Sequence, residues 1–176
     1  NSYIHVEIII NFWVFLTASI MSRRIREGVL FAIGNPLLDI STECDEAFLK
    51  KYGLDANNAI LADEKHISMY ADMVETYKDK VEYVPGGATQ NTIRVAQWLI
   101  GVPNSTTFMG CVGKDKFGAI LEQKAREGGV NTCYQYHDTE PTGTCAVLLS
   151  GANRFNRSLV AYLAAANHFK KSHIDK

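Results

Sequence analysis

An α/β fold, with a mainly parallel sheet covered by helices on both faces and a smaller flap of extra strands, is predicted by three observations. Short apolar runs alternate with amphipathic stretches at helical spacing from Val29 onwards; glycine-rich turns separate them; and 47% hydrophobic against 21% charged residues in a 176-residue chain suffice for one sizeable core. The net charge of −1 offers no basic field for nucleic acid or an anionic membrane, which leaves a small neutral or anionic ligand as the better partner. Cys44, Cys111, Cys133 and Cys145 show no Cys-x-x-Cys spacing and read as reduced, mostly buried thiols of a cytosolic protein. The five histidines are dispersed and no Gly-x-Ser-x-Gly elbow occurs, so no metal site is expected and serine or zinc hydrolysis is poorly supported.

The elements follow in order. Residues 1–21 stand apart as an apolar extension. Their stretch EIIINFWVFLTASIM is interrupted by Asn11, is shorter than the roughly 20 residues a bilayer needs and precedes Arg23 and Arg24, which disfavours a membrane anchor. The working domain is taken as 22–176. VLFAI is a strand that ends in the turn Gly34-Asn35-Pro36, because the residue before a proline is pushed out of helical space. DEAFLKKYGL predicts a short helix closed by Gly53; ADEKHISMYADMVETYKDK carries Ile67, Tyr70, Met73, Val74 and Tyr77 at helical spacing; VEYVPGG is a strand running into two glycines. In TQNTIRVAQWLI, Ile93, Ala96 and Ile100 share a face that Val95, Trp98 and Leu99 widen, a helix buried around much of its circumference with Thr89 as cap. STTFMGCVG and VNTCYQYH are strands flanking the helix KDKFGAILEQKARE, which Gly128-Gly129 stops; TGTCAVLLSG is strand-like and RSLVAYLAAAN ambiguous.

Two stretches suit chemistry. In VPGGATQN, residues 84–91, the glycines allow close backbone approach and large dihedral changes, and the helix start behind them offers free amides to an oxygen-rich ligand. Such a turn serves as hinge and binding wall together, or is a plain strand-to-helix turn; no Walker Gly-Lys-Ser/Thr follows it. In GNPLLD, Asn35 and Asp39 at the carboxyl end of the first strand can hold the vicinal hydroxyls of a sugar, or act as turn former and solvated acid. Leu37, Leu38 and Leu61 suit a planar base as well as a core.

GNPLLDIS, GGATQN, GCVGKDKFGAILEQKAREGGV, PTGTCAVLL and RSLVAYLAAAN, in that order, resemble the ribokinase-like carbohydrate kinases over residues 29–170, and GNPLLD with LAAAN resembles their adenosine kinase branch. The resemblance implies a ribokinase-like three-layer α/β/α sandwich with a small β lid, present as its amino-terminal portion. It implies transfer of the ATP γ-phosphoryl group to the adenosine 5′-hydroxyl, giving AMP for purine salvage, with Mg2+, in a monomer of the cytoplasm and nucleus. Gly86 and Gly87 match the lid hinge; Asn35, Asp39 and Asn91 match the ribose contacts; Leu37, Leu61, Cys145, Leu159, Ala161 and Leu163 match the apolar walls; Arg157, or alternatively Arg154, matches the arginine that meets the phosphate. The family's catalytic aspartate belongs to a Gly-Ala-Gly-Asp element, and these 176 residues contain none, which implies a piece that by itself binds nucleoside poorly and does not turn over. Ala59 and Ala88 stand where the family often has glutamine and serine. The alternatives are a non-catalytic nucleoside-binding or regulatory product, and another sugar or nucleoside kinase of the same fold.

Overall fold

Apolar runs become strands and amphipathic stretches become helices in the computed structural model, which describes residues 25–175. The extension at residues 1–21 lies outside them. Among the described residues no helix is long and apolar enough to cross a membrane. The chain order is β1 (Leu30–Ile33), β2 (Leu37–Glu43), α1 (Glu46–Lys51), β3 (Ala59–Leu61), α2 (Glu64–Thr76), β4 (Glu82–Gly86), α3 (Ala88–Ile100), β5 (Thr106–Gly113), α4 (Lys116–Glu127), β6 (Asn131–His137), β7 (Thr144–Ser150) and β8 (Asn156–Tyr162). Two 3-10 turns, Ala164–His168 and Lys171–His173, follow.

The described strands form two sheets. β1-β5-β6 is wholly parallel, while β3-β8-β7-β2-β4 is mixed, with β2 antiparallel to β4 but parallel to β7. The second sheet, expected as a small flap, holds five of the eight strands seen. The ambiguous RSLVAYLAAAN divides: its first part is β8, antiparallel to β7, and its second is a 3-10 turn. Residues 34–36 carry the chain from β1 into β2, residues 86–87 from β4 into α3, and residues 138–143 from β6 into β7. Asp39 therefore lies inside β2 rather than at the end of the first strand, with Asn35 in the crossing before it.

Each sheet buries one face against helices. Ile40, Ala146, Leu148 and Val160 of the second sheet pack on Phe48 and Leu49 of α1 and on Met69, Tyr70 and Met73 of α2. Phe108, Val112 and Tyr134 of the parallel sheet pack with Ile93 of α3, Leu121 of α4 and Leu38. Burial of this kind contributes roughly 1.5–3 kcal/mol for each large side chain.

The helix α3 departs from the sequence reading in two respects. Its buried stripe is Gln90, Ile93 and Gln97, whereas Val95, Trp98 and Leu99 are 56%, 78% and 72% exposed, because no other described element covers that side. Gln97 is satisfied inside: its oxygen accepts from the Thr106 amide at 3.0 Å and from the Ser105 and Thr106 hydroxyls, and its nitrogen donates to Val102 O at 2.6 Å. Thr89 is not the cap. Gly87, at φ 91°, holds that position, and its backbone passes so close to Asn35 O that a Cβ would overlap it.

Asp115 secures the crossing from β6 to β7. Its Oδ1 caps α4 through Gly118 N at 2.8 Å and accepts from Thr142 Oγ1 at 2.7 Å, while Oδ2 accepts from Thr142 N at 2.7 Å. Burial pushes this carboxyl up, but the donors from Thr142, Gly118 and Phe117 outweigh that and hold it below its ordinary value. A depressed acid contributes stability above its unfolded value of 3.8 and loses it as pH falls through the lower folded value. Asp115→Ala is expected to lower unfolding stability by roughly 2–3 kcal/mol at pH 7, and by progressively less in acid below its unfolded value. Urea denaturation at pH 7 and again in acid below 3.8 checks this; an equal loss in both contradicts the ionised clamp.

Candidate functional site

Alternation along a strand puts every second side chain on one face. In the second sheet that rule aligns Leu37 and Asp39 of β2, Cys145 of β7, Arg157, Leu159 and Ala161 of β8, and Ala59 and Leu61 of β3. The start of α3, with Gly87, Ala88 and Asn91, stands opposite as a wall. Together with Ile60 these residues enclose a cavity of about 420 Å3, within the size range of small-molecule sites, about 300–1,000 Å3. Among the residues singled out in the sequence, Asn35, Gly86 and Leu163 do not line it. Asn35 is exposed, and its amide nitrogen reaches Asn167 Oδ1 at 3.4 Å. Gly86 is paired with Leu37 one step back from the cavity, and Leu163 packs behind, among Leu37, Cys145 and Ala166.

The two glycines have different reasons. A Cβ on Gly86 would run into the Asp39 carboxylate, so a side chain there is incompatible with Asp39 as placed. Gly87 combines the positive φ with the close approach to Asn35 O. As cap of α3 it supplies no side-chain acceptor, and the first amides of the helix are left without helical partners at the cavity wall.

Asp39 dominates the electrostatics. Burial pushes its carboxyl up to about 6, against the pull of Arg157 and then Arg94 in the other direction. Cys145, beside Asp39 in register, has its thiol pushed up to about 12, first by burial and then by that carboxylate; it is a neutral apolar wall and not a nucleophile. Of the two candidate arginines, Arg157 lines the cavity. Arg154 sits on the β7–β8 turn at φ 57° and pairs with Glu43 Oε1 at 2.5 Å.

The motif reading passed over Gln90 and Arg94, both of α3. Gln90, fully buried, donates to Gly86 O at 3.0 Å and accepts from Tyr134 OH. Arg94 donates to Pro85 O at 2.8 Å. Their positions, four residues and nine residues beyond the backbone they hold, follow no short sequence signature. Among the described residues no group of three or more His, Cys, Asp or Glu side chains is placed to hold a metal ion, so the magnesium implied by resemblance has no ligand set here and no step is assigned to it.

The chain has counterparts among known proteins. A family model described as pfkB family carbohydrate kinase matches residues 46–176. Adenosine kinase 2 of Arabidopsis thaliana is 49% identical over 150 residues, which are 85% of this chain and 42% of that protein. Adenosine kinase of Dictyostelium discoideum is 46% identical over 144 residues, 82% of this chain and 41% of that protein. Among solved structures, Anopheles gambiae adenosine kinase in complex with P1,P4-di(adenosine-5) tetraphosphate superimposes with a TM-score of 0.78 at 50% identity, covering 86% of this chain and 46% of that one. Schistosoma mansoni adenosine kinase in complex with adenosine and AMP gives 0.74 at 37% identity, covering 86% and 43%. The chain thus spans about two fifths of the length of the curated relatives it matches. With a ribokinase-like fold, and a family match that runs from α1 through β8 and beyond, this chain belongs to the pfkB family of carbohydrate kinases.

Proposed function

We propose that this chain supplies the nucleoside-binding part of an adenosine kinase, a protein that transfers the γ-phosphoryl group of ATP to the 5′-hydroxyl of adenosine. The observation that carries the reading is a single carboxylate, Asp39, set on an apolar sheet face opposite Asn91. Curated relatives named adenosine kinase, at 46% and 49% identity, support it. In this reading Asp39 accepts hydrogen bonds from two adjacent ribose hydroxyls, and Asn91 meets the same sugar from α3. Leu37, Leu61, Cys145, Leu159 and Ala161 pack on the purine and sugar, with Leu163 supporting Leu37 from behind. Asn35, whose carbonyl lies against the Gly87 backbone, reaches the ribose hydroxyls from the crossing before β2.

The reaction joins the 5′-oxygen to the γ-phosphorus, breaks the bond to the ADP oxygen and releases the hydroxyl proton to a base. Most of the acceleration in such transfers comes from positioning and from neutralising charge on the phosphoryl oxygens. Arg157 supplies a guanidinium at the cavity for that charge. The base belongs, by resemblance, to the Gly-Ala-Gly-Asp element that these 176 residues lack, so the chain alone is expected to bind adenosine weakly and to form no AMP. The same reading, by resemblance, is of a monomer of the cytoplasm, a compartment that keeps thiols such as Cys44, Cys111, Cys133 and Cys145 reduced.

Calorimetric titration tests the reading directly: the chain is expected to bind adenosine and to ignore free fructose and ribose, and a preference for either sugar would replace it with a sugar-kinase site. The carboxylate accepts both hydroxyls only when ionised, so adenosine affinity should fall about tenfold per pH unit below about 6. A flat profile between pH 5 and 7 contradicts the assignment. An acid whose value is raised on folding stabilises the fold below 3.8 and loses that contribution as pH rises through about 6, so the ionised Asp39 costs stability at neutral pH. Asp39→Asn should therefore weaken adenosine at least about tenfold at pH 7 while leaving thermal stability equal or higher; lower stability with unchanged affinity refutes the role. Gly86→Val, whose side chain meets the Asp39 carboxylate, should abolish measurable binding in a chain that still unfolds cooperatively. Retained affinity in that variant removes the account of the glycine pair.

A further inference from the structure

We infer that Arg94, which does not line the cavity, sets its hydrogen-bonding polarity by holding Asn91 so that the wall of α3 presents a donor opposite the acceptor Asp39. The inference rests on the nucleoside reading above. Arg94 Nη1 donates to Asn91 Oδ1 at 3.2 Å and to Pro85 O at 2.8 Å. A guanidinium has donors and no acceptor, so only the carbonyl oxygen of the Asn91 amide can face it. The amide nitrogen is what Asn91 then has to offer the cavity that it lines.

Arg94 is itself fixed. Residues three apart on a helix are neighbours, which brings Arg94 under Asn91, and Pro85 is a buried residue of β4 in register with Leu38. One turn earlier, Gln90 holds the next carbonyl, Gly86 O, so the first two turns of α3 are tied to the strand that leads into them. Arg94 is also one of the two cations whose charge, after that of Arg157, favours the ionised form of Asp39 against its burial.

The chemistry of a vicinal diol makes this arrangement matter. Asp39, once ionised, accepts the protons of both hydroxyls, and the hydroxyl oxygens then need a donor, which a second acceptor could not supply. An amide free to flip would present oxygen as readily as nitrogen; one held by Arg94 presents nitrogen. Arg94 is thus a positioning residue for hydroxyl recognition, acting through Asn91.

The test compares dissociation constants of adenosine, 2′-deoxyadenosine and 3′-deoxyadenosine for the full chain, Arg94→Met and Asn91→Asp. Arg94→Met is expected to shrink the preference for adenosine over at least one deoxy analogue by about tenfold. A purely structural role would weaken all three nucleosides by one factor, and that result, or unchanged constants, overturns the inference. Asn91→Asp keeps a partner for Arg94 and hence the fold, but replaces the donor by an acceptor. Adenosine should then bind at least about tenfold more weakly with thermal stability unchanged or raised, and full affinity overturns the inference even where Arg94→Met does not fold. An unmodified chain that binds none of the three removes the nucleoside reading, and this inference with it; normal binding by that chain with insensitive variants removes this inference alone.

Discussion

An ionisable carboxylate on an otherwise apolar sheet face is the constraint around which the site is arranged. Asp39 alternates with Leu37 on β2 and lies beside Cys145 on β7, surroundings that disfavour its charge. The neighbouring strand gives it room by carrying a glycine at Gly86, and two arginines on separate elements, Arg157 on β8 and Arg94 on α3, offset part of the burial. A solvent-facing acid would need none of these. Their convergence on one side chain is what distinguishes a site for a polar ligand from a hydrophobic hollow.

The second requirement is that two sheets be held close where the chain passes between them. At the crossing after β1, Asn35 touches Gly87 backbone to backbone. At the crossing before β7, Asp115 grips Thr142 by its amide and hydroxyl. The cavity lies between the second sheet and the start of α3, so its width is set by these junctions and not by packing within either sheet. Gln90 adds a buried link from Tyr134 of the parallel sheet to the carbonyl of Gly86. Changes of conformation at Gly86 and Gly87 are consequently coupled to both layers.

Local signals in the sequence carried much of this. Alternating apolar runs and amphipathic helices were legible because their periods are short-range, and the Gly-Gly turn was legible because glycine is conspicuous before a helix. Pairings between distant residues were not. β2 meets β7 across more than a hundred residues, so the five-stranded extent of the second sheet could not be read from runs of three to seven residues. Gln90 and Gln97 misled for a physical reason: a glutamine with all its hydrogen bonds supplied inside is as buried as a leucine, while Trp98 and Leu99, apolar in type, face outward. Arg154 and Arg157 are equivalent as letters, and the fold separates them by giving Arg154 an acid partner away from the cavity. Asn35, matched by its motif to a ribose contact, lies at the crossing into β2 with its amide nitrogen 3.4 Å from Asn167 Oδ1, a neighbour 132 residues away that no motif announces.

The central claim is that adenosine occupies the face of the second sheet between Asp39 and Asn91. Mapping amide chemical-shift changes in the isotopically labelled chain as adenosine is added tests it most directly. The account predicts changes concentrated at residues 37–39, 86–91, 144–146 and 157–161, in β2, at the glycine turn and in β7 and β8. Changes that leave these positions still and gather elsewhere, for example around the exposed Val95, Trp98 and Leu99 of α3, would contradict it.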